Sequence, residues 1–245
     1  MYLPNPTIDY FRAKVAELMP ALLDAWQTGK PPVHSSAEDN PQLLSRACEQ
    51  WLEAFAAADA SDTTVDPESL TQFGEYGLNL CHSALSWAQQ LGQNEITDGL
   101  QEMTIVFALW LARRGGELHT LEPVVDGLAK YANATANPEE LENLYTVMNE
   151  ILNAVTPAIR KDLEKTNPGR PWRILNLNRA IVATRTHQPA LMEQAFKEFV
   201  ETLPEEAPQF FTEGMTQMDL LNYPPHVRTV MDKYYQQWGA ERALH

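Results

Sequence analysis

Apolar residues recur along this chain at steps of three and four, the period that lines one face of an α-helix. Leu70, Phe73, Leu80, Ala84, Leu85, Trp87 and Leu91 keep that spacing, and Ile96, Leu100, Met103, Phe107, Trp110 and Leu111 keep it again. The turn residues agree. Asn40-Pro41, Asp66-Pro67 and Asn137-Pro138 each set a capping side chain before a proline, whose fixed φ and missing N–H suit a first helical turn. Gly92 ends one pattern, and Arg113-Arg114 followed by Gly115-Gly116 end the next. The spacing predicts helices over 7–28 (bent at Pro20), 41–60, 67–91, 95–114, 118–133, 138–155, 157–165, 171–186, 189–203, 207–222 and 225–238. No alternating β-branched run bounded by Asn-Gly or Asp-Gly occurs. The expected fold is all-α, ten or eleven helices in antiparallel hairpins.

Two irregular stretches interrupt the pattern, 29–40 and 165–171. The second divides the chain into an expected N-terminal helical bundle, 1–166, and a C-terminal part, 167–245, unless the two are continuous. Beyond it Pro171, Pro189, Pro208 and Pro225 open successive helices at spacings of 18, 19 and 17, or 37 and 36 in overlapping pairs. That is the length of an α-α repeat. With Trp172-x-x-Leu175 at its start, the segment resembles the tetratricopeptide-like helical repeats, although Asn176 and Arg179 stand where that pattern has a small residue and an aromatic. The resemblance implies an α-α superhelix in the C-terminal part.

Composition adds a size and a sign. The 245 residues are 44% hydrophobic and include 6 Trp, enough apolar surface for a packed core. Eighteen Lys and Arg against 33 Asp and Glu leave a net charge of −15, which repels phosphate backbones and anionic lipid, so neither nucleic acid nor membrane is an expected partner. The longest apolar run, from Ile105 to Ala112, is far short of the roughly 20 residues of a membrane span. The first residues, Met1 to Pro6, lack the basic and apolar blocks of a secretory signal. Cys48 and Cys81 fall on apolar helical positions and read as free core thiols, which suits a cytoplasmic setting.

Recognisable catalytic chemistry is absent from the sequence. The six histidines have no Glu-x-x-His or His-Glu-x-x-His spacing, so no metal or other cofactor is expected. Cys81 and His82 are neighbours, but neighbours on a helix diverge by about 100°. Walker, Gly-x-Gly-x-x-Gly and Gly-x-Ser-x-Gly motifs are missing. Glu139-Glu140 and Glu205-Glu206 stand at helix starts, where negative charge favours the dipole.

One charge anomaly remains. Residues 160–185 carry seven bases against two acids, +5 in a molecule of −15. Arg170, Arg173, Asn176 and Arg179 are the candidate partner-binding residues of this band, since guanidinium forks recognise carboxylates of a protein or acidic peptide. The competing expectation is that these bases pair internally with the acidic surplus. On a helix from Pro171, Arg173, Asn176 and Arg179 share a polar face, Ile174, Leu175, Leu177, Ile181 and Val182 the other, and Arg185 points with the apolar set, where Glu213 is a candidate partner.

Two functions follow as expectations. The first is a protein interaction or scaffold module using the basic band. The second is a bundle holding a small apolar ligand or substrate between 67–91 and 95–114, lined by Trp87, Met103, Phe107 and Trp110, with Gly74 and Gly77 giving close approach or space. The last two helices, rich in Phe210, Phe211, Met215, Met218, Met231, Tyr234, Tyr235 and Trp238, read as core or as an adaptable contact surface, including a homodimer contact.

Overall fold

Eleven helices make up the computed structural model, which describes residues 3–29, 36, 39–60 and 66–239: α1 (Ile8–Thr28), α2 (Pro41–Ala60), α3 (Pro67–Gln90), α4 (Asn94–Arg113), α5 (Glu122–Ala134), α6 (Pro138–Ala154), α7 (Pro157–Arg160), α8 (Pro171–Arg185), α9 (Pro189–Thr202), α10 (Ala207–Leu220) and α11 (Pro225–Trp238). Among the described residues the one departure from helix and loop is an isolated bridge between Leu118 and Val155. It accounts for the late start of α5: Leu118 is extended, donating to Ala154 O and accepting from Thr156 N, and cannot begin a helix there. α7 stops early because Asp162 adopts φ 46°, outside the helical region. Pro20 lies inside an unbroken α1.

The helix ends are held as the local sequence dictates. Asn40 Oδ1 accepts from the amides of Gln42 and Leu43, Asp66 Oδ1 from Ser69 N at 2.9 Å, and Asn137 Oδ1 from Glu139 N at 3.0 Å. Gly92 and Gly115 take positive φ, 67° and 83°. Behind them Gln93 N reaches Ala88 O and Gly116 N reaches Leu111 O, the paired closure of a Schellman motif.

The chain forms two compact units. The first comprises Tyr2–Leu128 and Glu150–Lys161, the second Ala129–Asn149 and Asp162–His245. In the first, α1 packs on α2, α2 on α3, α3 on α4 and α4 back on α1, closing a four-helix bundle. Its centre is aromatic: Phe107 is fully buried, with its ring 4.9 Å from Trp51 and 5.8 Å from Trp110, and Phe11 and Phe55 pack 4.8 Å apart beside it. Cys48 and Cys81 are buried free thiols in the same unit.

In the second unit α8 packs on α9, α10 on α11, and α11 on α9. Phe196 and Phe211, both fully buried, and Tyr234 close this core with ring separations of 5.2 to 5.4 Å. Most of the Met- and aromatic-rich face of α10 and α11 is thereby core: Phe211, Met218, Val230, Met231 and Tyr234 are buried, while Tyr235 and Trp238 are half-buried.

Candidate functional site

The basic band is engaged from within. Arg170 is 3% exposed and forks onto Asp162, itself 7% exposed, with Nε to Oδ1 at 2.6 Å and Nη2 to Oδ2 at 3.0 Å; Nη1 donates to Lys165 O and Asn167 O. Its charge also lies 3.8 Å from Glu205 and 3.7 Å from Glu206. Arg173 donates from Nε and Nη2 to Glu206, and from Nη1 to Pro168 O at 3.1 Å. Lys165 meets Glu205 at 2.9 Å. Glu205-Glu206, at the start of α10, therefore holds down the 162–170 loop.

Asn176 and Arg179 are each 1% exposed, whereas Ile181 is 44% exposed. The polar side of α8 is thus covered at these positions, while Leu175 and Val182 of the apolar side are buried as well and Ile181 alone of that set is exposed. Arg179 is carried inward because it has partners there: Asn149 Oδ1 at 2.8 Å and the Glu198 carboxylate. Burial by itself raises the Glu198 carboxyl, yet the hydrogen bond and charge of Arg179 prevail and lower it. The stability this supplies is present above the ordinary carboxylate pKa and is lost as the pH falls through the lowered one. Asn176 donates to Trp172 O. Arg185 does not pair with Glu213; it caps the end of α5 instead, donating to Ala132 O at 2.6 Å and to Thr135 O, while Glu213 accepts from Gln209 at 2.7 Å.

The candidate residues of the first unit are packed together. Trp87, Met103, Phe107 and Trp110 are 0–4% exposed. The glycines beside them serve close approach: a Cβ on Gly74 would lie 2.2 Å from Leu111 Cδ2, and one on Gly77 2.6 Å from Phe107 Cε1 and from Trp51 Nε1. Neighbouring side chains fill the space the two glycines leave.

An open space occurs in the second unit, between α8, α10 and α11. This pocket of about 330 Å³ opens to solvent and has mainly apolar walls, formed by Phe210, Met218 and Met231 with Ile181 and Leu221 at its rim. Leu221 is 64% exposed. Thr184, Arg185, Glu213, Gln217 and Tyr223 supply polar atoms. Burial raises the Tyr223 phenol, partly offset by the Arg185 charge, so the hydroxyl keeps its proton at neutral pH. At Gly214 a Cβ would meet Met231 Sδ at 2.6 Å, so glycine sets how closely α10 approaches α11 at the pocket wall. Sequence periodicity does not disclose this site. Its one legible trace is the Met and aromatic content of α10 and α11.

No group of three or more metal-ligating side chains occurs among the described residues, and no described helix is long and apolar enough to cross a membrane. His82 is exposed while Cys81 is buried against Thr104. Burial pushes the Cys48 thiol up to about 12, reinforced by Cys81 and Glu49, and the Cys81 thiol up to about 11 against the Thr104 hydrogen bond. Both thiols are therefore expected to resist a disulfide reagent at about pH 8 in the folded protein and to react on unfolding. Rapid native labelling in a thiol-release assay would contradict this. No protein-family model matches the chain, and neither a curated protein nor a solved structure is significantly similar to it.

Proposed function

We propose that this protein binds a small, largely apolar ligand, and that the ligand is held in the second unit between α8, α10 and α11. The observation that carries this reading is the pocket itself: about 330 Å³, open to solvent, apolar in most of its lining, with a few polar side chains among the lining residues. Small-molecule sites share these properties and run from roughly 300 to 1,000 Å³. Met218 and Met231 add unbranched, adaptable walls.

The geometry gives less support to docking on the basic band. An acidic peptide there would have to displace Asp162, Glu206 and Glu198 from Arg170, Arg173 and Arg179, whose guanidinium groups already have carboxylates in place. A ligand between α3 and α4 would have to displace Leu111 and Phe107.

Thermal-shift screening with lipophilic compounds tests the reading, comparing the native chain with an Ile181→Trp/Leu221→Trp variant that obstructs the mouth from two exposed positions. A ligand at 100 times its Kd stabilises the native state by about 2.7 kcal/mol. A rise in Tm is expected for the native chain and a much smaller one for the variant. A flat response of the native chain across a broad library would sink the proposal.

A further inference from the structure

We infer that the ligand of this pocket is a small amphipathic monocarboxylate, its carboxylate set at Arg185 and its apolar body among Phe210, Met218 and Met231. The inference rests on the ligand-binding reading and adds the head group. Among the described residues of the second unit, Arg170, Arg173, Arg179 and Arg228 each contact a carboxylate. Arg185, the arginine that lines the pocket, contacts none; its partners are the carbonyls of Ala132 and Thr135. In a chain of net charge −15 a half-buried arginine without a carboxylate is the exception. A guanidinium has five N–H donors, so two carbonyl bonds leave three for a further acceptor.

The rest of the lining agrees with a single anionic head. The Tyr223 hydroxyl lies within electrostatic reach of Arg185 and, being protonated, is a second donor to a carboxylate. Gln217 adds amide donors. Glu213 is the one acidic group on the lining, and being exposed it is well screened; Arg185 is the one cationic group there, so the lining offers a single counter-charge. Arg185 is half-buried, where an ion pair is screened less. Arg185, Tyr223 and Gln217 supply the charge and hydrogen-bond donors of the lining, and Phe210, Met218 and Met231 supply phenyl and thioether surface.

Titration with octanoate, 1-octanol and octylammonium, followed through the methyl signals of carbon-13-labelled methionine, tests this. Octanoate is expected to move the Met218 and Met231 signals and to bind about tenfold or more tighter than 1-octanol, as a charge-assisted contact warrants, with octylammonium weakest. In Arg185→Gln the preference for octanoate over 1-octanol is expected to vanish while 1-octanol binding persists. Tyr223→Phe, which leaves the α5 cap intact, is expected to narrow the preference in case Arg185→Gln does not fold. Equal binding of octanoate and 1-octanol at these methyls would overturn the inference and leave the pocket reading standing. If none of the three probes moved either signal, both would fall.

Discussion

Replacing Arg170 with methionine is expected to destabilise the protein by about 3–5 kcal/mol, because it strips the counter-charge from a carboxylate that the fold has taken out of water. Asp162 is 7% exposed and accepts both arms of the Arg170 fork, so the variant strands a buried anion. The same change frees Lys165 O and Asn167 O, and the 162–170 loop loses its internal clasp. The double variant Asp162→Asn/Arg170→Met is expected to recover part of the loss, since it removes the stranded charge while asparagine still tolerates the left-handed φ of position 162. Urea unfolding followed by circular dichroism measures both. A loss below about 1 kcal/mol for the single change would mean that the pair behaves as a solvated surface contact.

Phe107→Ala is the second large effect, at about 3–5 kcal/mol, the range for removing a fully buried phenyl. Phe107 is 0% exposed, and its ring faces Trp51 at 4.9 Å, Trp110 at 5.8 Å, and Phe11 at 5.9 Å. Gly77 brings α3 against the same ring, so the bundle has little freedom to collapse into the space. Thermal and urea unfolding would show the loss, and the variant is expected to gain affinity for a small aromatic such as benzene, as a dry engineered cavity does. Near-wild-type stability would instead mean that α3 and α4 border a space the native protein leaves open, as the second sequence expectation had it.

What the sequence made legible is local. Asn40, Asp66 and Asn137 cap the helices they precede, and Gly92 and Gly115 end the helices they follow, because capping and left-handed closure involve residues two to five positions apart. The three- and four-residue period of apolar positions needs no distant partner either, and from it the all-helical architecture follows. Where the helix limits moved, a distant or conformational cause moved them: Val155 holds Leu118 extended, and the positive φ of Asp162 ends α7.

Both readings of the basic band were available from composition, and only the tertiary structure decided what each base meets. Arg173 finds Glu206 across 33 residues of chain, and Arg179 finds Glu198 across 19 and Asn149 across 30. A helical wheel sets the angle of Arg179 on α8 but not which side of α8 is covered. The charged face turned inward because carboxylate and amide partners wait there, and Ile181 was left at the rim of an open pocket. The pocket has the same origin: it lies where α8, α10 and α11 fail to fill the space between them, and the volume left among packed helices is a property of their arrangement that no spacing along the chain encodes.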